Sequence, residues 1–157
     1  RLRGGDRRDD QQDMKIKDIR AALTALVRGL DPAAKVVKAD EREPVVRPSF
    51  RIDVLPVGGG AACDGARERE VDVDIWYYPK DTDHPRDECD AVADKLLAAL
   101  DEGFEAGGIW IPLDEDASCD SSQDVLVVQF TASWVETAEE TGEPMETLIY
   151  NGEELTE

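Results

Sequence analysis

The spacing of apolar residues changes several times along the chain. Ile16, Ile19, Leu23, Leu26, Val27 and Leu30 recur every three to four positions, with Lys17, Asp18 and Thr24 turned away. That stripe predicts an amphipathic helix from Ile16 to Gly29, with Gly29 and then Asp31-Pro32 as its stop. A short strand is expected over Lys35 to Ala39. Strict alternation begins at Ser49, where Phe50, Ile52 and Val54 interleave with Arg51 and Asp53, and predicts a strand to Leu55. Pro56 and the run Gly58-Gly59-Gly60 are expected to end it. A second alternating stretch, Glu68 to Tyr78, puts Val71, Val73, Ile75 and Tyr77 on one face. Asp72, Asp74, Trp76 and Tyr78 take the other. The two strands read as an antiparallel hairpin with a mobile tip of about ten residues.

Pro79 closes that strand, and Pro85 suits the first turn of a second helix, with Asp83 as the expected N-cap. Asp87 and Glu88 sit where the helix dipole favours acids, and Cys89, Val92, Ala93, Leu96 and Leu100 make the apolar face. After Gly103 a short strand is expected at Ile109 to Leu113, then a polar loop from Asp114 to Asp124. A last strand, Val125 to Val135, turns Leu126, Val128, Phe130, Ala132 and Trp134 to one side. The fold class that follows is α+β, a mainly antiparallel sheet with two amphipathic helices packed on one face.

Composition and charge divide the 157 residues into three parts. Arg1 to Asp13 has one aliphatic residue, Leu2, among four Arg and four Asp, and is expected to be a disordered extension upstream of a start at Met14. Residues 14–135 read as the folded body. Glu136 to Glu157 is an acidic C-terminal segment with eight Glu and no Lys or Arg, yet it keeps Met145, Leu148, Ile149, Tyr150 and Leu155. The formal charge of −19 argues against binding nucleic acid or anionic lipid through a basic patch. No apolar run reaches the ~20 residues that span a bilayer. Cys63, Cys89 and Cys119 form neither a CxxC pair nor a disulfide framework, and the chain is expected in the cytoplasm.

Candidate chemistry is sparse. The stretch KDTDHPRDE holds Asp81, Asp83, His84, Asp87 and Glu88, and His84 is the single histidine. An enzyme or metal-binding module would have to be built around it, but no second imidazole or nearby thiol completes a ligand set. A turn leading into a helix is the preferred reading. Asp114, Asp116, Ser118 and Asp120 imitate a calcium loop, but Cys119 and Val125 stand where that loop needs glycine and glutamate. Gly58 to Gly60 lacks the Lys-Ser/Thr of a phosphate loop. Cys89 lies on the helix stripe, where it reads as core. No catalytic, cofactor or metal residue is assigned. The mixed aromatic and acidic face of the central strand, Trp76, Tyr78, Asp72 and Asp74, reads instead as a subunit interface or, equally, as a face covered by a second helix layer. Its acids call for Lys or Arg opposite, with Arg51, Arg67 or Arg69 of an adjacent copy as candidates.

Four segments carry a family resemblance: KDIRAALTALV (residues 17–27), RPSFRIDVLPV (47–57), DVDIWYYPKDTDHPRDECDAVADKLLAAL (72–100) and METLIYNG (145–152). Together they resemble phage tail terminator, or tail completion, proteins encoded by prophages of Gram-positive bacteria. The third segment carries most weight, through a strand ending in an aromatic pair followed by YPKDTD. The resemblance implies an α+β subunit without cofactor or catalysis that closes with copies of itself into a ring, typically a hexamer. Such a ring caps the tail tube and meets the head connector in the virion tail, after assembly in the host cytoplasm. It transfers no active-site residue. An acidic ring wall would also repel passing DNA.

Overall fold

The computed structural model describes residues 14–137, apart from positions 39, 42, 43, 64, 122 and 123, and the backbone of two short strands near the C-terminus. The expected character of Arg1 to Asp13 and most of the acidic C-terminal segment lie outside the described residues. Helix α1 spans Ile16–Leu30, one residue beyond expectation. The Asp18 carboxylate accepts the Lys15 N–H at 2.9 Å and closes its first turn. Gly29 stays helical, so the stop falls on Asp31: its N–H donates to the Val27 carbonyl at 3.1 Å, and its side chain accepts the Ala33 N–H at 3.1 Å.

Strands β1 (Lys35–Lys38), β2 (Ser49–Cys63) and β3 (Ala66–Tyr78) come next, followed by helix α2 (Pro85–Ala99). Then come β4 (Gly103–Ala106), β5 (Ile109–Pro112), β6 (Ser118–Asp120) and β7 (Leu126–Thr137). The pair β8 (Leu148–Tyr150) and β9 (Glu153–Leu155) falls in the C-terminal segment. The main sheet has the order β1-β2-β3-β7-β6 and is antiparallel except for β1 against β2.

Three expectations are corrected, and a fourth feature is added. The long mobile tip between β2 and β3 does not exist: pairing continues to Cys63↔Ala66, and only Asp64 and Gly65 separate the strands. Asp-Gly is a strong two-residue hairpin signal, and Gly65 takes the positive φ of 75° that such a turn requires. Pro56 is tolerated because it lies beyond the stretch covered by β1 and beside a register shift at Pro56/Gly58. Second, the N-cap of α2 is His84, not Asp83. Third, the polar loop 114–124 contains β6, which pairs with β7 from Ser118↔Gln129 to Asp120↔Val127. Fourth, Gly103–Ala106 is a strand, joined to β5 by Gly107 and Gly108 at φ 56° and 81°. That strand shows Phe104 and Ala106 to the core but is too short to display a clear period.

Alternation on the three long strands holds. Val71, Val73, Ile75 and Tyr77 of β3 and Leu126, Val128, Phe130, Ala132 and Trp134 of β7 are buried on the inner face. There they form one core with Ile19, Leu23 and Val27 of α1 and with Cys89, Val92, Leu96 and Leu100 at α2. α1 packs on β2 and β4, and α2 packs on α1 and β7, so both helices cover the same side of the sheet. The β4–β5 hairpin joins that layer through Phe104, whose ring meets Phe130 edge-on at 6.0 Å. Phe50 and Tyr77 stack tilted at 4.8 Å under the helices. No helix among the described residues is long and apolar enough to cross a membrane.

Candidate interface on the outer face of the sheet

The acid-rich stretch around His84 is a fastened turn. Glu88, on the first turn of α2, accepts the Tyr77 hydroxyl at 2.7 Å and the Lys80 N–H at 2.9 Å on one oxygen, and the Asp81 N–H at 3.0 Å on the other. Asp81 in turn accepts the N–H groups of Asp83 and His84, each at 2.9 Å. Burial alone would raise the Glu88 carboxyl, but the Tyr77 hydroxyl and the two amides outweigh it and hold it below its ordinary value. The two amides hold Asp81 low in the same way. Burial, and then Glu88, push the Tyr77 hydroxyl far above the usual tyrosine range. YPKDTD and the acids after it thus form the joint between β3 and α2.

His84 and Cys89 do line one hollow, of about 560 Å³, together with Asp83, Asp87 and Asp124. The His84 side chain is 83% exposed, however, and burial followed by the charge of Glu88 pushes the Cys89 thiol up, which keeps it protonated. Burial raises the Cys119 thiol as well. Among the described residues no three His, Cys, Asp or Glu side chains gather as a metal site.

The outer face of the main sheet is where the sequence-designated residues come together. Glu68, Glu70, Asp72, Asp74, Trp76 and Tyr78 follow one another along β3, every second residue, on the side away from the helices. Trp76 stands between Arg51 of β2 and Val127 of β7, half-buried. The Arg47 guanidinium lies 5.9 Å from the centre of the Tyr78 ring and donates to the Pro79 carbonyl at 3.0 Å, so Tyr78 is covered in part from within the chain. Asp72 accepts the Thr131 hydroxyl at 2.7 Å, and Asp74 accepts the Gln129 amide at 2.9 Å. These bonds fix both carboxylates upright on the sheet.

The loop after β5 adds a rim. Its Asp114 N–H donates to the Thr131 carbonyl at 3.0 Å, and the Asp114 carboxylate accepts the Ser133 hydroxyl. Glu115 and Asp116 are thereby held beside Asp72 and Asp74, around a depression of about 640 Å³ floored by Leu55 and Gln129. The calcium-like spacing of this loop thus contributes a wall, with Ser118 diverted into β6. Sequence reasoning missed one exposed aromatic. Ile111 turns into the core, so Trp110 faces out and is 59% exposed, next to Ile109 at 43%. The alternation Ile-Trp-Ile was the available signal, but three residues are too few to say which face is buried.

No curated protein matches the sequence. Among solved structures, one chain aligns over 79% of this chain and 96% of its own, at 16% identity and a TM-score of 0.45, too distant to carry an argument. The family model for phage tail terminator proteins matches residues 16–144, from the first residue of α1 into the acidic segment beyond β7. This chain therefore belongs to the phage tail terminator proteins.

Proposed function

We propose that this protein is a structural ring subunit that caps the tail tube and meets the head connector, performing no reaction of its own. Assembly takes place in the host cytoplasm and the product resides in the virion tail. Beyond family membership, one observation carries this reading. The main sheet has a face buried under α1, α2 and the β4–β5 hairpin, and an opposite face that neither helix covers, where Asp72, Asp74, Trp76 and Tyr78 stay half-buried. A lone subunit would leave that face, with Trp76 and two rows of fixed polar groups, against water, whereas subunit contacts bury such mixed aromatic and polar surfaces. The Asp81 and Glu88 carboxylates of the His84 turn are engaged in backbone hydrogen bonds, which fits a scaffold better than an acid–base site.

Trp76→Ala tests the reading. Light scattering and negative-stain electron microscopy should show rings for the wild type and weakened assembly for the variant, with unchanged circular dichroism. A variant that unfolds would place Trp76 in the core. One that assembles with wild-type affinity would move the interface elsewhere.

A further inference from the structure

The β2–β3 hairpin, with β7 paired along β3 as far as Ala66↔Thr137, runs on past the helices that cover the rest of the sheet. Every residue of β2 from Leu55 to Cys63 is exposed, and the facing residues 66–70 of β3 are exposed or half-buried. The result is an arm of roughly 25 Å at about 3.3 Å per residue. Its charges are sorted by side. Arg67-Glu68-Arg69-Glu70 alternate, so Glu68 and Glu70 extend the outer acidic row that continues through Asp72 and Asp74. Arg67 and Arg69 point to the helix side, in line with Val71 and Val73, but beyond the helices themselves. On β2 their partners are only Ala61 and Gly59, while on β7 Arg69 stands opposite the buried Trp134 and Arg67 opposite Glu136. Glu136 holds Arg69 at 3.5 Å, while Arg67 is exposed. With Glu136 taken up by Arg69, the face keeps one surplus positive charge, carried by the exposed Arg67, in a chain of formal charge −19.

We infer that the Arg67/Arg69 face of the arm docks on the acidic outer face of a second copy of this chain, over Asp72, Asp74, Glu115 and Asp116. This rests on the ring reading above and supplies the other half of its interface. Opposite charge joins the two surfaces, and the receiving depression of about 640 Å³ is roomy enough for arginine side chains. The direction of the faces sets the symmetry. Arm and receiving face look to opposite sides of one sheet, so two copies cannot satisfy each other. Each contact leaves one arm and one face open, and the series ends only when it closes on itself. Arg51 is not the donor, because it stands on the receiving face beside Trp76. The C-terminal segment is a poor occupant of that face, since residues 136–157 carry eight Glu and no Lys or Arg.

The test uses charge reversal in the full chain, read by light scattering and electron microscopy, with circular dichroism confirming the fold. Arg67→Glu, and separately Glu115→Lys with Asp116→Lys, should each weaken self-association by about tenfold or more. Combining all three changes in one chain should restore it, because every interface then carries the swapped pair. Wild-type assembly should also weaken as salt rises. Wild-type affinity in Arg67→Glu, or no recovery in the folded combined variant, would overturn the arm contact while leaving the ring intact. A wild type that stays single-copy at all concentrations would overturn both the ring and the arm contact. Loss of binding only to a different tail protein would assign the arm to that partner and reject the self-contact.

Discussion

The Tyr77 hydroxyl donates to the Glu88 carboxylate at 2.7 Å, tying the buried end of β3 to the first turn of α2 across the motif that carried the family resemblance. The same carboxylate takes two backbone N–H groups of the connection, so one side chain sets the angle at which α2 leaves the sheet.

Glu88→Gln should therefore destabilise the fold by about 1–2 kcal/mol at pH 7, since an amide cannot accept on both sides. The pH dependence has a definite sign. Glu88 and Asp81 are held below their ordinary values of 4.5 and 3.8, so the folded chain binds these protons more weakly than the unfolded chain. Their contribution is complete above those values and is lost as pH falls through the lowered folded ones. Urea unfolding should show the gap between wild type and Glu88→Gln narrowing from pH 7 to pH 3. A gap that stays constant would mean that the charge contributes nothing.

His84→Ala should change stability by less than about 1 kcal/mol, because the side chain is 83% exposed and the backbone N–H makes the bond to Asp81. Asp81→Ala should lower Tm more, since it strands two amide donors. Loss of particle assembly in folded His84→Ala, or one equivalent of bound zinc per chain, would revive a metal-binding or catalytic reading of the turn.

Leu96→Ala should cost about 2–5 kcal/mol, read from urea or thermal unfolding. Leu96 is fully buried on α2, in the same core as Val73 of the central strand. A near-neutral result would mean that α2 packs by another face.

Both long helices and the three long strands were legible in the sequence because each repeats its pattern often enough to identify the buried face. Ile19, Leu23 and Val27 are buried as the stripe requires, and Val71 to Tyr77 alternate with Asp72 to Tyr78 as written. Short elements were legible only in part: β1 and β5 were expected, whereas β4 and β6, of four and three residues, are too short to separate a period from chance.

What the sequence determined by itself is therefore the class of each long element, the side of each that faces the core, and the acidic and aromatic character of the face left over. These depend on side-chain spacing along one strand or helix, which is local. Only the tertiary structure decided that Pro56 and three glycines continue a strand into an arm, and that Glu88 reaches back to Tyr77. It also brought Asp114 to Asp116 beside Asp72 and Asp74, through the hydrogen bonds of Asp114 to Thr131 and Ser133. Each of these depends on residues distant in the chain satisfying one another's backbone and side-chain groups, and a one-dimensional pattern does not say which distant groups will meet.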